Sequence, residues 1–157
     1  MPNVLFLAET RDGALRKVAF EVATAARQLA ASLGAGSEVH AIIAVPPGKS
    51  DLSAALGEHG ADALLVCEHE GFKEHNPEAM AALIADVAGK GGYAAVLLPA
   101  SIHGRDTAPR AAARMGVGMA SDVTAFEVKG GAIFAKHPVN TGKVIATKGC
   151  TEHKMFW

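Results

Sequence analysis

Short apolar runs that alternate with helical stripes constrain this chain more than any single motif does. Residues 3 to 9, Val39 to Val45, Ala63 to Cys67 and Ala94 to Pro99 are such runs, and turn-forming residues close most of them. Between the first two, Leu15, Val18, Ala19, Val22, Ala25, Ala26, Leu29 and Leu33 recur at three- and four-residue steps, while Lys17, Glu21 and Gln28 fall on the opposite side. A short second helix follows a cap at Ser50 or Asp51 and ends near Gly60. A third starts at Asn76-Pro77-Glu78, turns Met80, Leu83, Ile84 and Val87 inward and stops at Gly91-Gly92, and a fourth spans roughly Thr107 to Met115. Strands and helices in this order predict an α/β fold, doubly wound on a mainly parallel sheet.

The rhythm changes after Gly118. Val123 to Val128, Ile133 to His137 and Val144 to Thr147 read as antiparallel β ribbons, with Gly130-Gly131 as a hairpin signal. The last residues, 148–157, show no periodicity and form a separate tail.

The chain's 157 residues suit one domain. Half are hydrophobic but only 5% aromatic, so the core rests on aliphatic residues and alanine, which suits helices lying close on a sheet. A net charge of −1 supplies no electrostatic footprint for nucleic acid or an anionic membrane. The apolar runs are too short to span a bilayer and no basic leader precedes the first strand, so no membrane insertion and a cytoplasmic location are expected. Cys67 and Cys150 lie far apart without a CxxC spacing, as in a reducing compartment, and Cys67 reads as a small buried residue.

The chemistry-bearing residues cluster where the fourth strand meets the fourth helix. Ser101, His103 and Asp106 include the residue types of a hydrolytic triad, but they lack the G-x-S-x-G elbow, and triad members normally come from distant segments. Ser101 and Asp106 read instead as caps for backbone amides at a helix start. Gly104, Arg105 and Asp106 are candidate anion or cofactor ligands, since helix amides beside a guanidinium attract phosphate. Gly116 to Ser121 mimics a dinucleotide fingerprint in the reverse order, helix before strand. Cys67, His69 and His75 flank one loop at no zinc spacing, and no metal is expected. Arg105, Arg110 and Arg114 form a basic set, Arg110 and Arg114 one turn apart, that suits solvent or a partner.

Taken in order, Leu5-Phe6-Leu7-Ala8-Glu9, Ala25-Ala26-Arg27-Gln28-Leu29, Gly60-Ala61-Asp62, Asn76-Pro77-Glu78, Leu97-Leu98-Pro99-Ala100, Gly104 to Arg110 and Ser121-Asp122-Val123-Thr124 resemble the amino-terminal domain of the electron-transfer flavoprotein α subunit. The resemblance covers about residues 3 to 147. It implies a Rossmann-like fold of the adenine-nucleotide-hydrolase type and a domain boundary at 1–147, leaving 148–157 as a tail that reads as truncation, frameshift or the end of a fragment. It also implies an electron carrier subunit, not a catalyst, within a heterodimer that shuttles electrons from dehydrogenases to a quinone reductase or other acceptor. FAD would be held in the full-length complex by a carboxy-terminal domain, with AMP or a second FAD in the β subunit, and no cofactor is expected in this chain alone. The expected partner is the β subunit, docked through the Gly104–Arg110 turn and the ribbons, with Arg105, Arg110, Arg114, Ser121 and Asp122 at the interface. Surface meant for a further domain would favour self-association. The alternative reading is a free-standing AMP- or ATP-binding α/β module.

Overall fold

A computed structural model describes residues 2–149 and 154–156. The strands β1 (Val4–Leu7), β4 (Val39–Val45), β5 (Ala63–Glu68), β6 (Ala95–Leu97), β7 (Gly118–Ala120) and β11 (Lys154–Phe156) form one sheet in the order β5-β4-β1-β6-β11-β7, every pairing parallel. The chain builds outward from β1 through β4 to β5, then returns to the other side of β1 at β6. The gap between β1 and β6 is therefore the place where the winding reverses, and ligands of open α/β sheets bind beyond the carboxyl ends of the strands at such a point.

Alternation along β1 divides the core. Val4, Phe6 and Ala8 face α1 (Lys17–Leu33), where Ala19, Ala23, Ala26 and Leu29 are buried. Leu5 and Leu7 face α3 (Pro77–Gly91) and α4 (Ile102–Met115), where Ala81, Ile84, Ala108, Ala111 and Ala112 pack. Alanine at these positions lets α3 and α4 lie close together on the sheet. β1, whose four residues are all buried, shows the continuous apolar character of a strand covered on both faces.

The antiparallel ribbon is β8 (Ala125–Lys129), β9 (Ala132–Val139) and β10 (Val144–Gly149), in the order β10-β9-β8, with Gly130-Gly131 joining the first two. Ile133 and Ala135 of β9 join the α1 side of the core, so the ribbon covers part of that helix.

Four expectations change. Residues 154–156 of the aperiodic tail are a parallel strand seated between β6 and β7, a segment too short to show a period. Helix α4 begins at Ile102, not near Thr107, because Ser101 caps it by accepting the Gly104 N–H at 3.0 Å. The short α2 (Ser53–Glu58) follows Leu52, so Ser50 and Asp51 lie before its cap position. Cys67 is only half-buried, because β5 is an edge strand of the sheet.

Candidate functional site at the carboxyl ends of the strands

Past Ala8, a two-residue hairpin shapes the site. β2 (Thr10–Arg11) pairs with β3 (Ala14–Leu15) across Asp12-Gly13, both at positive φ, 53° and 76°. That conformation matches the twist of two-residue hairpins and explains the Asp-Gly pair. Glu9 and Arg16 stand at its two feet, and the Arg16 N–H donates to the Glu9 carbonyl at 2.9 Å.

The Glu9 carboxylate is 5% exposed. A buried carboxylate is costly unless paired and hydrogen-bonded, and both oxygens are engaged. Arg16 bonds Oε1, the Ser101 hydroxyl donates to Oε2, and His103 Nδ1 stands 3.5 Å from Oε1. The His103 ring stacks on His75, centroids 3.9 Å apart and planes 3° from parallel. His75 Nε2 lies 3.4 Å from Asp106, which accepts from Arg110 Nε at 3.2 Å. Arg110 also bonds Glu78, and Arg114 bonds the second Glu78 oxygen at 2.8 Å. A continuous polar chain thus runs from the foot of the hairpin, across α4, to the first turn of α3.

A cleft of about 520 Å3 opens beside this chain at the ends of β1 and β4. Ala8, Ala44 and the buried Thr107 line it, with Pro46, Pro47, Phe72 and Met80 as apolar wall. Its charged lining is balanced, since Arg11, Lys49 and Lys73 are matched by Glu9, Asp12 and Glu74, and only the state of His75 and His103 tips the sign. Burial, then the charge of His75, holds the His103 pKa below the usual histidine range, with Arg16 and Arg11 acting the same way and Glu9 opposing them.

The structure separates residues that the sequence suggested as one unit. Ser101 is a helix cap and a ligand of Glu9, and His103 faces Glu9 too, so a serine–histidine–aspartate relay is not assembled. Asp106 lies inside α4, bonded to Arg110 and His75, and caps nothing. Among the proposed anion ligands, the Gly104 amide is given to Ser101, and Arg105 pairs with Asp122 at 3.0 Å. Gly104 is glycine for another reason, because a Cβ there would collide with the Pro99 carbonyl oxygen. All three residues thus have partners within the chain, Asp106 through Arg110 and His75. His69 accepts the Gly71 N–H at 3.0 Å and starts a single 3-10 turn, Glu70–Phe72. Among the described residues, no group of three or more histidine, cysteine, aspartate or glutamate side chains is arranged to hold a metal ion. No described helix is long and apolar enough to cross a membrane.

Glu9 and Arg16, which anchor the site, are not among the site residues expected from the sequence, where Glu9 figures only as the end of the first apolar run and of a family motif. The available signal was an acidic residue directly after a fully apolar run, followed at the far side of an Asp-Gly turn by an arginine.

The chain matches the electron transfer flavoprotein domain over residues 4–156. It is 33% identical over 154 residues to Protein FixB of Clostridium saccharobutylicum, covering 97% of this chain and 45% of that protein. It is 31% identical over 154 residues to the electron transfer flavoprotein subunit alpha of Clostridium acetobutylicum, with the same coverage. The acryloyl-CoA reductase electron transfer subunit beta of Anaerotignum propionicum is 29% identical over 133 residues, which cover 80% of this chain and 34% of that protein. The chain spans less than half the length of these relatives. None of these matches supports a free-standing AMP- or ATP-binding module. The ordered motifs, the doubly wound sheet and the match from the first strand to the last described one agree, and the chain belongs to the electron transfer flavoprotein family, as the amino-terminal domain of an α subunit.

Proposed function

We propose that this domain is a docking platform in a heterodimer with an electron transfer flavoprotein β subunit. The complex carries electrons from dehydrogenases to a quinone reductase or another acceptor, and the FAD is held by a further α domain, with AMP or a second FAD in the β subunit. The observation that carries the reading is the family match across 4–156, confined to the first half of relatives named as α subunits.

The proposed contact face is the exposed side of α4 and the entry to the antiparallel ribbon. Arg105 with Asp122, Arg110 with Asp106 and Glu78, and Arg114 with Glu78 hold three guanidinium groups in fixed positions, each side chain about half-exposed. Ser121 stands beside Asp122 where the chain leaves β7. Such pre-paired side chains lose little rotamer freedom on docking.

Co-expression with a β subunit from the same genome tests this. A one-to-one complex by light scattering, weakened by the double variant R105E/R114E, is expected. Separate elution of the two chains overturns the docking role, and stoichiometric flavin absorbance on the isolated chain overturns the assignment of FAD to another domain.

A further inference from the structure

We propose that His75 and His103 form a pH-sensitive clasp, closing one wall of the cleft while at most one of them is protonated and releasing the segment before α3 when both are. This does not depend on the docking role. The two rings come from different elements, His75 from the segment between β5 and α3 and His103 from the first turn of α4, and both line the cleft. Their face-to-face contact ties a mostly exposed segment to a helix packed on the sheet.

The surroundings can accept one proton on the pair but not two. His75 has Asp106 at 3.4 Å and His103 has Glu9 at 3.5 Å, yet neither carboxylate is free, since Arg110 bonds Asp106 and both Arg16 and Ser101 bond Glu9. Arg11 and Arg16 add positive charge on the β1–α1 side. Lys49, Lys73, Asp12 and Glu74 line the same cleft and cancel one another, and Glu78 on α3 is shared between Arg110 and Arg114. An imidazolium against a neutral imidazole is attractive, whereas two parallel imidazolium rings in contact repel. Protonation of His103 is opposed by burial, by His75 and by both arginines, so the doubly charged pair forms only below the ordinary histidine pKa of about 6.5. At that step the stack has no attraction left, and the cleft, balanced while both rings are neutral, carries two net positive charges.

Hydrogen exchange read by mass spectrometry at about pH 7.5 and about pH 5, either side of the ordinary histidine pKa, tests the clasp. After correction for intrinsic rates, residues 69–76 should exchange on the order of tenfold faster at the lower pH, while β4 keeps its protection. His103→Phe keeps a flat ring on His75 but cannot charge, so it should remove the acid-induced rise. His75→Phe should do the same from the other side and serves if the first variant folds poorly. Nitrogen NMR should show His103 titrating higher in His75→Phe than in the parent. A pH-independent segment 69–76, or an unchanged rise in both variants, overturns the proposal. Neither result bears on whether the chain pairs with a β subunit.

Discussion

Arg16 and Glu9 are joined twice, by a backbone hydrogen bond of 2.9 Å across the feet of the Asp12-Gly13 hairpin and by an ion pair between their side chains. The two partners are not equivalent. Glu9 is 5% exposed, whereas the Arg16 side chain keeps 39% of its surface in solvent. Removing the arginine leaves a buried carboxylate with, among the described residues, Ser101 and a mainly neutral His103 beside it, and unpaired buried charges cost roughly 3 kcal/mol or more. Removing the carboxylate leaves a guanidinium that water can reach, at about 1 kcal/mol. Arg16→Met should therefore destabilise the domain more than Glu9→Gln does, and urea unfolding of both variants checks the order.

Ser101 links the same carboxylate to the start of α4. Ser101→Ala removes both the cap on the Gly104 amide and the hydroxyl bonded to Glu9, so a loss of roughly 1 to 2 kcal/mol is expected from the cap alone. Thermal denaturation measures it. Because the hydroxyl is committed to these two partners, any esterase activity of the purified chain should be unchanged in this variant.

Gly104→Ala tests why a glycine stands in the first turn of a helix. The added methyl meets a backbone carbonyl, that of Pro99, which cannot rotate aside as a side chain could. The α4 start or the Pro99–Ser101 segment must shift, at roughly 1 to 3 kcal/mol, the usual range for overpacking. A variant as stable as the parent would mean that this segment yields freely.

The fold was legible because its strands and helices are long enough to show their periods. β4 spans the same seven residues that the apolar run marks, and α3 begins at the Asn76 cap with Pro77 in its first turn. The α4 start was not legible, because Ile102 to Asp106 shows no apolar stripe and Ile102 itself is 86% exposed. Its glycine reads as a turn until the Pro99 carbonyl is seen beside it. β11 escaped because three residues between β6 and β7 are specified by their neighbours, not by a pattern of their own. The site was legible only in part. Ser101, His103 and Asp106 were singled out together, but their partners, Glu9, Arg16 and His75, come from 28 to 94 positions away and only the winding of the sheet brings them near.

Asp62 offers a pH test distant from the cleft. Its Oδ2 accepts the Val39 N–H at 2.8 Å and the Arg27 guanidinium at 2.6 Å, while Arg27 Nε donates to the Gly60 carbonyl at 3.0 Å, so one arginine bolts α1 to the loop entering β5. Burial is the largest single influence on this carboxyl and raises its pKa. The Val39 hydrogen bond and Arg27, with a smaller contribution from His40, together outweigh it and hold the pKa below the ordinary 3.8. A carboxyl more acidic in the folded than in the unfolded state binds fewer protons when folded, so its contribution is complete above the ordinary value and fades as pH falls through the lowered one. Asp62→Asn should consequently be less stable than the parent at about pH 7, and the gap should narrow below about pH 4, where the parent loses the same charge. Unfolding midpoints of both proteins across that interval check the prediction. A gap that stays constant into acid would show that the asparagine loses hydrogen-bond geometry and not charge.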